Sequence, residues 1–348
     1  MKKIVLLLFV SLVFSLPRFS IEEGSRCTNC HINPSGSGMR NDYGSNIYTL
    51  DELTLRKWIS KSNEDWDGYI TDHIQIGGEF RIQSFHSERE TKTFPMQAEL
   101  YTKVDVNKNA DFYLETSLDG SNYEYFILFD QFPNKSWIKL GKSNPNYGLM
   151  IDDHTAFIKS GNGTALDSNN RDLDIGFRSL FDPRNDKPLI IEGSTMVDDN
   201  LYLTMSISSS LLNKGVETLN NYTGSLIYNG KIRKSPYMIG ASIMKEDDFS
   251  LSGIFGGISL GKLTMTFESD FAKHLLDYIE TSFASYAQLV YKPLQGLHLL
   301  VKYDYFDHNY DYKTNSIARI SYGFEIFPLN ILELKLQVRS YETKQFNF

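Results

Sequence analysis

The residues most able to do chemistry in this chain are Cys27-Thr28-Asn29-Cys30-His31. They include the only two cysteines in 348 residues. Cys-x-x-Cys-His is the attachment spacing of a c-type haem. Each sulfur can form a thioether with a porphyrin vinyl group. The histidine that follows at once can then reach the iron from one face. Two other chemistries use Cys-x-x-Cys. A redox disulfide normally sits beside a βαβ pattern, and none is evident here. A structural zinc ion wants four Cys or His ligands, and no second pair follows. His31 directly after Cys30 favours one covalent haem c, with Cys27 and Cys30 as attachment points and His31 as the iron ligand. The run Ile32 to Gly44 is rich in turn formers, so its backbone is expected to pass close to a flat cofactor.

An electron-transfer haem normally takes a second axial ligand, Met or His. Three candidates stand. Met39 lies eight residues after His31, on a loop that would have to wrap the haem edge. His73 stands where the chain changes texture, and His154 stands in a long connection. Each also has a plainer role: Met39 in packing, His73 at a membrane interface, His154 in a pore lining or a pair with Asp152.

The elements that must position these groups begin with an export signal. Lys2 and Lys3 precede the short apolar run Ile4–Val13, which reads as a signal peptide over residues 1–15. The run is too short to span a bilayer as a helix, and no later stretch is long enough. Residues 16–72 form the expected haem segment. Thr49 and Glu52 have capping-box spacing ahead of Leu53 and Leu55, which suggests a short helix. The net charge of -8 argues against a nucleic-acid partner.

From residue 73 to 348 the pattern has a period of two. Leu297, Leu299, Val301, Tyr303 and Tyr305 share one face of a strand; His298, Lys302 and Asp304 share the other. Leu263, Met265 and Phe267 alternate with Thr264, Thr266 and Glu268, and Leu332, Leu334 and Leu336 with Glu333, Lys335 and Gln337. Turn residues such as Asn229-Gly230 and Pro293-Leu294-Gln295-Gly296 separate segments of about transmembrane-strand length. About sixteen such segments, with 21 Tyr and 23 Phe, point to an all-β chain: an antiparallel transmembrane β-barrel in the outer membrane. The end of the chain, with Phe346 and Phe348 on one face, resembles the assembly signal of bacterial outer-membrane proteins. Between the segments near Trp137–Lys142 and Asp172–Arg178, residues 144–163 form an unusually long connection. It is expected to fold into the lumen as a constriction, with Asp152, Asp153 and His154 projecting into the pore.

The string Cys-x-x-Cys-His-x-Asn-Pro-x-Gly-x-Gly-x-Arg-Asn-x-Tyr-Gly over residues 27–44, fused to a barrel, resembles a family of bacterial outer-membrane porin-like proteins with one N-terminal c-type haem. Asn146-Tyr147-Gly148-Leu149 with Asp152-Asp153-His154-Thr155 is similar to a recurrent element of such chains. The resemblance implies haem binding and electron transfer at the outer membrane, with periplasmic or surface cytochromes as partners and the haem segment on the periplasmic side. The other function the chain allows is a diffusion channel for small polar solutes, with the haem segment as plug or sensor. No nucleophile triad, paired carboxylates or phosphate loop stands out, so an enzyme is not expected.

Overall fold

Alternating strands of this length cannot stand as open edges, and here they wrap around one another. The computed structural model describes residues 3–11, 17–36, 38–55, 68–86, 91–118, 122–151, 153, 155–159, 187–212, 215, 218–276, 279–307, 309–310 and 316–343. Its strands are β1 (Lys3–Ser11), β2 (Tyr69–Thr71), β3 (Ile74–His86), β4 (Thr91–Asn107), β5 (Ala110–Ser117), β6 (Tyr123–Phe132), β7 (Ser136–Lys142), β8 (Leu189–Met196), β9 (Leu201–Ser209), β10 (Leu219–Ile232), β11 (Ser235–Glu246), β12 (Phe249–Leu260), β13 (Leu263–Leu276), β14 (Ile279–Leu294), β15 (Leu297–Asp307), β16 (Ser316–Leu329) and β17 (Leu332–Thr343).

Strands β3 to β17 pair in chain order, each antiparallel to the next. Strand β1 pairs antiparallel to both β17 and β3 and is the sixteenth strand of the wall. The residues expected as a leader peptide are therefore placed in the wall. Short runs of leader residues and membrane strands draw on the same apolar side chains, so either role suits them. Strands β3 and β17 run in the same direction, so without β1 they could meet only as a parallel pair. Strand β7 pairs directly with β8, and the strand expected near Asp172–Arg178 lies outside the described residues, as do Phe346 and Phe348.

The side-chain register decides what kind of barrel this is. On β15, Leu299, Val301 and Tyr303 are 44%, 49% and 41% exposed, whereas His298, Lys302 and Asp304 are 0%, 1% and 0% exposed. The same inversion holds on β13, where Met265 and Phe267 face out and Thr264, Thr266, Glu268 and Asp270 are buried. A soluble sandwich would put the apolar set inside; a barrel solvated by lipid puts it outside. Among the described residues, no helix is long and apolar enough to cross a membrane.

The two ends of the barrel differ. At one end the turns (108–109, 133–135, 197–200, 233–234, 261–262, 295–296 and 330–331) have two to four residues. At the other the connections reach forty-six residues, at 143–188. The N-terminal segment enters at the short-turn end. Gln295 Nε2 donates to the carbonyls of Asp51 (3.0 Å) and Thr54 (2.8 Å), and Leu55 N–H donates to Phe327 O at 3.0 Å.

The segment contains helix α1 (Pro17–Glu23), a single 3₁₀ turn at Cys27–Asn29 and a π-type helix at Tyr43–Leu53. The expected helix start at Thr49 is corrected: this helix is nearly finished there. The Thr49 hydroxyl donates back to Ser45 O inside the helix, and Thr54 Oγ1 donates to Thr49 O at 2.7 Å as the helix ends. Pairing with preceding carbonyls outcompeted the capping role that the Thr–Glu spacing suggests.

The register has a direct test. Val301→Arg, at the middle of β15 on the lipid face, is expected to cost about 2–4 kcal/mol of folding stability in lipid vesicles. An equally stable variant in urea titrations would mean that this face does not meet lipid.

Candidate functional site

The site is built from the outside inward by anchors. Arg18 on α1 is buried in the lumen, ion-paired with Glu325 of β16, and its Nη2 donates to His298 Nδ1 at 3.2 Å. Phe19 packs beside Tyr48 at 5.7 Å between ring centroids and shares a buried cluster with Leu53 and Phe327. Further along, Asn33 Nδ2 donates to Glu124 Oε1 at 2.9 Å, and Ser35 Oγ donates to Glu192 Oε1 at 3.3 Å. The turn-rich run after His31 is thus pinned to the inner face of the wall.

Between these anchors the motif closes on itself. Cys30 and His31 donate their N–H groups to Cys27 O at 3.1 and 2.9 Å, which makes the tight turn that brings the two cysteines together. His31 and Arg40 form an antiparallel bridge, and Asn41 N–H donates to Cys30 O at 3.0 Å. The Asn41 amide donates to Asn29 O at 3.1 Å, and its Oδ1 accepts from Gly44 N–H at 3.0 Å. Gly44 is required for a steric reason: a Cβ there would stand 2.3 Å from Cys30 O. The expectation that the glycines open a path for a cofactor needs correcting at Gly38. Its φ of +61° and the 2.3 Å that would separate a Cβ from Tyr113 Oη fit it against the barrel wall instead.

Cys27, Cys30 and His31 line one pocket at the short-turn end. Phe19, Tyr48 and Leu53 supply apolar wall; Arg26 and Arg40 supply two guanidinium groups. Burial, and next the neighbouring Cys30 thiol, pushes the Cys27 thiol up to about 11. Burial also raises Cys30, against the pull of Arg40. Redox-active Cys-x-x-Cys pairs have depressed thiol pKa values, the opposite direction. Among the described residues, no group of three or more His, Cys, Asp and Glu is arranged to hold a bare metal ion. Two cysteines and one histidine lining one pocket, with aromatic side chains and two arginines also in the lining, are a donor set that fits a tetrapyrrole with carboxylate side chains.

The long connection does turn inward. Asn146, Tyr147, Gly148, Leu149 and Thr155–Lys159 are buried in the lumen. Leu149 N–H donates to Glu268 Oε2 at 2.8 Å, Tyr147 Oη donates to Asp270 Oδ1 at 3.1 Å, and Arg319 Nη2 donates to Thr155 O at 2.8 Å. Asp153 is paired with Lys302 at 2.5 Å. Burial opposes its ionisation, but Lys302, Lys335 and Arg339 outweigh that and hold its carboxyl well below the usual carboxylate range. Asp152 and His154 lie outside the described residues.

The other expected ligands fall elsewhere. Met39 is buried among Ile32, Tyr101, Tyr113, Phe126, Leu128 and Trp137, and its N–H donates to Tyr113 Oη at 3.1 Å. It packs the segment onto the wall and is not among the cavity's lining residues. His73 is exposed in the turn between β2 and β3, and it too is absent from the lining. Sequence reasoning missed Arg26, Arg40, Phe19 and Tyr48, because ordinary arginines and aromatics carry no spacing signal. It also missed Met150, which lines the cavity from the inward loop.

No protein-family model matches the chain, and no curated protein matches it in sequence. Solved structures resemble it. The loop L8 deletion mutant of OmpT, an outer membrane protein of Vibrio cholerae, is 12% identical over 78% of this chain and 100% of its own, with a TM-score of 0.49. Pseudomonas putida OprB is 7% identical over 99% of this chain and 93% of its own, with a TM-score of 0.46. An anion-selective porin from Comamonas acidovorans is 9% identical over 77% of this chain and 100% of its own, also at 0.46. At these identities and scores the likeness is one of fold alone. The chain has a porin-like β-barrel fold, and the strand pairing and register above are what establish it.

Two outcomes test the site's construction. Gly44→Ala must push the Cys30 carbonyl aside and is expected to cost roughly 1–3 kcal/mol in urea titration; no loss would mean that the Cys30–Gly44 approach is not essential. Asp153→Asn leaves Lys302 with only Asp304, at 3.8 Å, and is expected to cost about 3 kcal/mol. Because the folded Asp153 value is depressed, its contribution is complete above the ordinary carboxylate pKa, ~3.9. It is lost only as pH falls through the lower folded value. Stability of the wild type relative to Asp153→Asn should therefore be flat from pH 7 to about 5. A decline across that window would contradict the pairing.

Proposed function

We propose that this protein is an outer-membrane β-barrel that carries one covalent haem c at its short-turn mouth and exchanges electrons with partner cytochromes. The observation that carries this reading is that Cys27, Cys30 and His31 line one cavity, in a barrel whose lumen the N-terminal segment and the inward loop enter among the described residues. Cys27 and Cys30 would hold the porphyrin by thioethers, and His31 would bind the iron. When bound, the group supplies one-electron chemistry at that iron. The chain's own residues do the rest. Arg26 and Arg40 would balance the haem carboxylates. Phe19, Tyr48 and Leu53 exclude water from the apolar edge. The Asn41 and Gly44 contacts hold the Cys30 backbone in place.

Short turns face the periplasm in outer-membrane barrels. That rule puts the cavity on the periplasmic side, where a soluble cytochrome could reach it. A single centre at one mouth cannot carry electrons through the full wall by itself, so a second redox partner is part of the proposal.

The second reading is a diffusion channel for small polar solutes, with the N-terminal segment as plug or sensor. Two observations favour it: the lumen face is densely charged, and the similar solved structures include an anion-selective porin. Against it, the N-terminal segment and the inward loop occupy the lumen in the described residues.

Mass and visible spectra of the purified protein test the first reading. A covalent haem is expected in the wild type. It should be lost in Cys30→Ala, while the barrel still assembles and migrates as a folded species. Planar-bilayer recording separates the two readings: a filled lumen gives no stable conductance steps. Wide, long-lived steps in haem-loaded protein would reject the electron-transfer reading and support the channel.

A further inference from the structure

Resting on the haem reading above, we infer that Met150 of the inward loop is the second axial ligand, opposite His31. Met150 lines the same cavity as Cys27, Cys30 and His31, and it comes from a separate stretch of chain, the connection between β7 and β8. Among the described residues lining that cavity, His31 and Met150 are the only side chains of the two types that serve as axial ligands in electron-transfer haems.

The loop geometry explains why this residue is the one presented. Leu149 and Ile151 are buried in an apolar cluster that also holds Ile21 of α1. Met150, between them, is not in that cluster and turns to the cavity. Its neighbours are fastened to rigid wall. Gly148 N–H donates to Ser242 Oγ at 3.1 Å, and Leu149 N–H donates to Glu268 Oε2 at 2.8 Å. On the other flank Asp153 pairs with Lys302, and Phe157 N–H donates to Asp304 Oδ1 at 3.3 Å. Gly148 has φ +64°, and a Cβ there would lie 1.8 Å from Glu268 Oε1, so the loop approaches the wall more closely than any other residue type allows. The backbone that carries the thioether is thus held in place, so little backbone ordering is left to be done on binding iron.

The consequence is functional. A methionine sulfur is a soft, neutral ligand that favours ferrous iron and raises the reduction potential relative to a second histidine. The inward loop then does more than fill the lumen. It ties the far-end connection to a redox centre at the short-turn mouth.

The test uses full-length protein in detergent. Wild-type ferric protein is expected to show the weak long-wavelength charge-transfer band of thioether-ligated iron. Met150→Leu keeps the bulk and the apolar character but removes the ligand. It is expected to lose that band, lower the midpoint potential and bind carbon monoxide readily in the ferrous state. Met150→His should restore a low-spin, six-coordinate spectrum without the thioether band. A merely structural role would leave the Met150→Leu spectrum unchanged, which would overturn the assignment. So would a wild-type bis-histidine spectrum that disappears in His154→Ala. Covalent haem in every variant keeps these outcomes separate from the parent reading. Absence of haem from the wild type would overturn both. If Met150→Leu failed to assemble, the wild-type band and its replacement in Met150→His would still decide.

Discussion

Charge enclosed in the lumen is the constraint on which the rest of this structure depends. The period of two puts apolar side chains outward to lipid, and it therefore puts Lys139, Glu192, Glu268, Asp270, Lys302, Asp304, Arg319 and Glu325 inward. In a wide, water-filled barrel such groups would be hydrated. Here they are almost wholly buried, and an uncompensated buried charge costs several kcal/mol. Two segments supply the compensation. The N-terminal segment brings Arg18 to Glu325 and Ser35 to Glu192. The inward loop brings the N–H groups of Asn146 and Leu149 to Glu192 and Glu268, and Asp153 to Lys302.

That compensation makes the candidate site rigid. Each partner on the wall has a fixed place in a ladder of strands, so each segment that satisfies it is fixed too. The Cys27–His31 turn hangs between Arg18 and Asn33, both tied to wall carboxylates. The Met150 stretch hangs between Leu149 and Asp153, tied to a wall carboxylate and a wall ammonium. The cavity is the space left where these two separately anchored pieces face each other. Its apolar rings come from the segment itself, where Phe19 and Tyr48 pack together.

Evolution of such a site need not alter the barrel. The outward band requires only apolar side chains at alternate positions, whereas the inward face carries specific partners. Lipid-facing positions tolerate exchange among apolar residues. The lumen face is specific because its partners are: Glu192, Glu268, Lys302 and Glu325 each meet a group of the N-terminal segment or the inward loop.

Much was legible in the sequence because it depends on local spacing. Cys27, Cys30 and His31 stand at the two fixed intervals of a c-type haem attachment motif. The alternation on β13, β15 and β17 is a local property of extended chain, so the inside and outside of the barrel could be read before any fold was known. The inward course of residues 144–151 and 155–159 agrees with the expectation set by the unusual length of the connection. What the sequence could not determine is which distant residues meet. Thr49 carried a capping signal, yet Ser45 O lay nearer. Met39, close in sequence to His31, was drawn into packing against Tyr113 and Trp137. Met150, more than a hundred residues away, came to the cavity instead. Those choices were made by closure of the wall. The paired wall sets β13, β15 and β16 so that Glu268 and Lys302 hold the inward loop, and Glu325 the N-terminal segment, in the same lumen.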